Sequence, residues 1–149
     1  MLLTSFTKAN PNIAGSYIIM GDETFFCDDI RVGPSSFKIT TLNGVNVRIS
    51  TGSIDAYSKD GSFFEKLPVV NKNQDTSGWA FMQYLASRDE YKLYRYCSNC
   101  SHYDPATGEI APVTPVYRYY IFKNGSFVTV TDDHNAKNLL KRFGVKVIS

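Results

Sequence analysis

Tyr119-Tyr120-Ile121-Phe122-Lys123-Asn124-Gly125-Ser126-Phe127-Val128-Thr129-Val130 is the stretch that decides the fold. Two runs of aromatic and β-branched residues flank an Asn-Gly pair. A two-residue hairpin needs positive φ at its corner, and Gly and Asn adopt it at low steric cost. The same signal recurs at Gly21-Asp22, Asn43-Gly44 and Asp60-Gly61. Around Asn43-Gly44, Phe37, Ile39 and Thr41 alternate on one arm and Val45, Val47 and Ile49 on the other. That spacing of two is what a half-buried antiparallel pair requires. Residues 17–20 with 24–27, and 54–58 with 62–67, supply the arms of the other two turns. Pro68 lacks an N–H, so it should end its strand or place it at a sheet edge.

Helices are expected in two places. Over residues 79–86, Phe81, Met82 and Leu85 fall on one helical face, with Ser77 as N-cap, and strand is the competing reading for so short a run. Over residues 133–143, Ala136, Leu139, Leu140 and Phe143 recur at i, i+3, i+4 and i+7. Thr131, Asp132 or Asp133 can cap that helix, Lys137, Lys141 and Arg142 suit its dipole, and Gly144 stops it. The expected class is therefore α+β. It consists mainly of antiparallel hairpins in a curled sheet or small barrel, a short middle helix and a C-terminal amphipathic helix. Residues 1–149 read as a single domain, long enough for a core without metal or disulfide staples. Its β-rich half is 10–70. The polar segment 71–78 leads to 79–149, which holds the helix, a Tyr-rich hairpin and the C-terminal helix.

Sixteen basic against fourteen acidic residues leave a net charge of +2, too small to imply a nucleic-acid partner. No apolar run approaches the ~20 residues of a membrane helix, so no span is expected. Residues 1–9 read either as the tail of a secretory signal or as a first strand. In the first case small Thr7 and Ala9 stand at the −3 and −1 positions, which favours export; in the second the protein can be cytoplasmic.

The sharpest local motif is Cys97-Ser98-Asn99-Cys100-Ser101-His102. Two thiolates at this spacing can reach one zinc, with His102 as a third ligand. A redox pair would need its first Cys at a helix N-terminus, whereas Cys97 ends an expected strand. The favoured reading is a Cys97–Cys100 disulfide at the mouth of the loop 98–115, or two plain thiols, with Cys27 left over. Adjacent Asp28-Asp29 and Asp132-Asp133 point to opposite faces of a strand and make no catalytic dyad. No nucleotide, metalloprotease or calcium-loop pattern occurs, so neither catalytic residue nor cofactor is expected.

The strands 91–97 and 116–122 interleave Tyr with Arg. Tyr91, Tyr94, Arg95, Tyr96, Tyr117, Arg118 and Tyr119 form a candidate face for a protein or glycan partner. The competing account is packing alone, since cross-strand Tyr–Tyr and Tyr–Arg pairs stabilise a sheet by roughly 0.2–1 kcal/mol each. Tyr94→Ala together with Arg118→Ala is expected to abolish partner capture and leave the melting curve nearly unchanged; a large loss of stability instead would assign these residues to the core.

Several segments recur in order along the chain. Gly21-Asp22-Glu23-Thr24 comes near the start, then Phe81-Met82-Gln83-Tyr84-Leu85, then Lys92-Leu93-Tyr94-Arg95-Tyr96. The strands around Asn124-Gly125 and Asn135-Ala136-Lys137-Asn138-Leu139-Leu140-Lys141 follow. In this order of elements the chain resembles small exported β-rich proteins of Bacteroides-type bacteria, a functionally uncharacterised group. The resemblance implies export and a non-enzymatic role, and it carries over no catalytic residue; the CxxC loop departs from it. The expected function is a non-catalytic binding or structural module of the cell envelope or extracellular space. The alternatives are a subunit of a larger particle, such as a virion or secretion assembly, and a small zinc or thiol protein centred on the CxxC loop. The oligomeric state is left open.

Overall fold

The computed structural model describes residues 16–71, 73–98 and 115–145. Strands take up 63% of these and helical turns 11%, which overturns the α+β expectation: the protein is mostly β. Its strands form one eight-stranded antiparallel sheet and one three-stranded sheet. The chain divides into two compact units, Met1–Leu67 and Pro68–Ser149.

The first unit holds β1 (Ser16–Met20), β2 (Glu23–Cys27), β3 (Asp29–Val32), β4 (Ser36–Thr40), β5 (Asn46–Ser50), β6 (Ala56–Lys59) and the start of β7 (Ser62–Val70). Asp60 and Gly61 have φ of 52° and 81°, the two positive values of a type I′ turn between β6 and β7. Strands β3, β4 and β5 make the small sheet in chain order. Its buried Phe37 meets Tyr57 edge-on at 5.1 Å, and Tyr57 stacks on Phe64 at 4.8 Å. Burial pushes the Tyr57 phenol up to about 12. Lys59 Nζ donates to the Ile30 carbonyl, tying β6 to β3. Cys27 is buried, and that burial, together with Asp29 and Asp28, raises its thiol.

Pro68 does not end its strand, because β7 runs on to Val70. Pairing with β6 stops at Glu65, so Pro68 sits where no β6 partner needs its missing N–H. Beyond it, Asn71 closes a tight loop. Its Oδ1 accepts the amides of Asn73 and Asp75 at 2.9 and 3.0 Å, and its own N–H donates to the Asp75 carbonyl at 3.0 Å.

The second unit follows with β8 (Thr76–Arg88), β9 (Tyr91–Cys97), β10 (Tyr117–Lys123) and β11 (Ser126–Asp132). The middle helix expected over 79–86 is therefore wrong: these residues lie inside a strand of 13 residues. The closed loop at Asn71 returns the chain directly onto a neighbouring strand, and aromatic residues suit a pleated surface. Phe81 and Met82, paired on one face by the helical reading, point to opposite faces. The register with β9 slips between Tyr84 and Ala86, leaving Leu85 as a bulge.

The C-terminal amphipathic helix is also corrected. Residues 133–143 contain a 3-10 turn, Asp133–Asn135, and a helix α1 of six residues, Lys137–Arg142. Asp132 Oδ1 accepts the Asn135 amide at 3.1 Å and draws the start into the tighter turn. Asp, His and Asn there are weak helix formers. Gly144, at φ 74°, ends α1 in the left-handed region. The apolar residues still pack: Ala136 and Leu140 join Leu93, Tyr119 and Ile121 in one buried cluster flanked by Leu139 and Phe143.

On the other face of this unit, Met82, Tyr94, Tyr120 and Phe122 are all buried. The Tyr120 hydroxyl donates to the Val70 carbonyl at 3.3 Å. Strands β10 and β7 are three places apart in the sheet. In a flat sheet that is about 14 Å, beyond the reach of one Tyr side chain, so the second unit curls around this face.

Candidate functional site

The ladder register assigns each Tyr and Arg of the candidate face to a side. Tyr94 pairs with Tyr84 and Tyr120, and Tyr96 with Arg118. Arg95 pairs with Gln83 and Tyr119, Tyr117 with Cys97, and Tyr91 with Lys123. Cross-strand partners share a face. Tyr94, Tyr96 and Arg118 therefore lie on the curled, concave side. Tyr91, Arg95, Tyr117 and Tyr119 lie on the side that α1 packs against.

Burial divides them again. Tyr94 and Tyr119 retain 2% and 6% exposure and serve the core, while Tyr91 keeps 37%. Arg118 is exposed, and Arg95, Tyr96 and Tyr117 are half-buried. Tyr94 meets Tyr84 and Phe122 edge-on at 5.8 and 5.7 Å. The Tyr119 hydroxyl donates to Asp133 Oδ1 at 3.1 Å. Burial first, then the Asp133 charge, raises its phenol.

The best-defined constellation lies beside Tyr119. Arg95 Nη2 donates to Gln83 Oε1 at 2.7 Å, and its guanidinium carbon sits 4.5 Å over the Tyr117 ring. A guanidinium held this way presents its remaining N–H groups at a fixed angle beside an aromatic face. Gln83 was assigned by its sequence to a helix; only the β8–β9 register brings it to Arg95.

At the far end of the same face the β8–β9 turn meets the end of α1. Asp89 adopts φ 55° in that turn. The residues Arg88, Asp89 and Tyr91 help to line a cavity of about 300 Å³ there. Sequence reasoning missed Arg88, Asp89 and Arg142. The turn residue, Asp89 between the apolar run 79–86 and the strand-like run 91–97, was present, but reading the first run as helix hid it. Lys123 reaches over the Tyr91 ring at 5.4 Å and pairs with Glu90 at 3.4 Å.

Cys97 closes β9. Cys100 and His102, with residues 1–9, lie outside the described residues, as does the loop from 99 to 114. The expected Cys97–Cys100 disulfide and the zinc set Cys97, Cys100 and His102 each need residues that lie there. Among the described residues no group of three His, Cys, Asp or Glu could hold a metal. No helix among them is long and apolar enough to cross a membrane. No protein-family model, curated protein or solved structure matches the chain.

Proposed function

We propose that the chain is a non-catalytic binding module of the cell envelope or extracellular space. It recognises a protein or glycan partner through the Arg95–Tyr117 pair of its second unit. The observation that carries this reading is the geometry of that pair: a guanidinium stacked on a ring and anchored to Gln83. Side chains already fixed lose little rotamer freedom on binding, where a mobile one loses about 0.5–1.5 kcal/mol. Arg and Tyr are also the residue types that dominate recognition energy. Arg118 lies on the opposite face, and Tyr91 lies at the far end of β9, so neither belongs to this contact.

Photo-crosslinking tests it. A benzophenone amino acid in place of exposed Val116, which leaves the Arg95–Tyr117 pair intact, should yield one discrete adduct in the envelope or extracellular fraction when the chain is expressed in its own host. Arg95→Gln in the same chain should remove that adduct, and the same probe at exposed Asp22 should not form it. Absence of any adduct from Val116, or recovery of the chain in the cytosol alone, refutes the proposal.

A further inference from the structure

The cavity at the end of α1 joins two chemistries. Ile121, Val128, Leu139 and Phe143 give it an apolar lining, and Arg88 and Arg142 are the two basic residues that line it. Arg88 Nη1 donates to the Arg142 carbonyl at 2.9 Å, which fixes its guanidinium against the end of α1. The Arg142 guanidinium has no hydrogen-bond or ion-pair partner among the described residues. Asp89 is the single acidic group in the lining.

From this we infer that the cavity binds a small monocarboxylate carrying an aliphatic or aromatic tail. The charge selects the class. Two guanidinium groups against one carboxylate leave a formal +1, which a monoanion balances and a dianionic phosphate overshoots. Arginine forks match a carboxylate in plane, through two parallel hydrogen bonds. The volume limits the tail. At about 300 Å³ the cavity stands at the small end of ligand sites, which run from about 300 to 1,000 Å³. It takes one short chain or one ring, not a two-chain lipid. The simpler account is a shallow dent whose rim arginines lay their stems over apolar surface. The two accounts differ in whether charge and tail length both matter. This site stands apart from the Arg95–Tyr117 pair and does not depend on the function proposed for it.

The test is a nitrogen-15 NMR titration of the full chain with hexanoate, octanoate and octanol. Octanoate should shift the amides of residues 88–91 and 139–145. Each buried methylene tightens binding about fourfold, so octanoate should bind about 15-fold tighter than hexanoate. Octanol should bind more weakly than octanoate. Arg142→Gln should weaken octanoate roughly tenfold and leave octanol unchanged. The variant's own spectrum reports whether it is folded, and the octanoate–octanol comparison in the unsubstituted chain decides without it. Arg95→Gln should leave octanoate binding intact. Three results would overturn the inference: no shifts at these amides, equal affinity for hexanoate and octanoate, or octanol binding as tightly as octanoate. The second would mean surface ion pairing and the third a greasy dent.

Discussion

Replacing Tyr94 by Ala separates the two roles of the Tyr-rich strands. Its side chain keeps 2% exposure and lies edge-on to Tyr84 and Phe122 at 5.8 and 5.7 Å. Truncating a buried aromatic residue to Ala costs about 3–5 kcal/mol, including the cavity left behind. Each lost edge-to-face pair supplies about 0.5–1.5 kcal/mol of that. For a chain of this size the melting temperature should fall by roughly 10 °C. Exposed Arg118→Ala should stay within about 0.5 kcal/mol of the parent. Tyr94→Phe, which keeps both ring contacts, should retain most of the stability. Urea unfolding followed by far-ultraviolet circular dichroism measures all three, and the Tyr94→Ala midpoint should drop with an unchanged m-value. A loss below about 1 kcal/mol would mean that the ring is not enclosed. The curled arrangement of β8 to β10 would then be wrong, and Tyr94 would return to the contact surface.

Two further perturbations follow from the first unit and from the corner between β10 and β11. The Tyr57 phenol is raised from 10.0 to about 12 by burial, so the folded chain holds its proton where the unfolded chain releases it. That contribution is complete below about pH 10 and is lost progressively up to about pH 12, amounting to about 2–3 kcal/mol. Urea melts at about pH 9 and pH 11 should show about half of it, roughly 1.3 kcal/mol, in the parent and a smaller loss in Tyr57→Phe. An equal loss in both would refute it. At Gly125, φ is 83° and nothing stands within 4 Å of an added Cβ, so Gly125→Ala isolates backbone strain. It should cost about 1–2 kcal/mol, and Gly125→Asn less, since Asn tolerates the left-handed region. Equal stability of all three by the same unfolding assay would show that the corner is not left-handed.

The corners were legible because their physics is local. Asp60-Gly61 and Asn124-Gly125 specify positive φ within two residues, and the structure has it there. Strand β8 was illegible because both of its faces are partly buried. Phe81, Met82 and Leu85 then satisfy a helical period and a strand period alike. The choice was made outside the segment, by the Asn71 loop and by the β9 partner. The candidate site was legible only as a list. Alternation told which of Tyr91 to Cys97 share a side, but which side becomes core depends on where residues 136–143 return and on the curl that carries Tyr120 to Val70. Neither is written in strands β9 and β10 themselves.

The shortness of α1 links these observations. Six residues of helix cover about 9 Å. The seven residues of β9 extend about 23 Å. A cover that short protects the middle of the face, where Leu93, Tyr119 and Ile121 are buried, and leaves both ends of β9 reachable. One end carries Tyr91 and the cavity, and the other carries Arg95 against Tyr117. The continuous helix expected over 133–143 would have run about 16 Å and reached further over the same surface. The Asp132 cap and Gly144 confine the helix between them, and that confinement leaves room on one face for both the proposed Arg95–Tyr117 contact and the proposed carboxylate cavity.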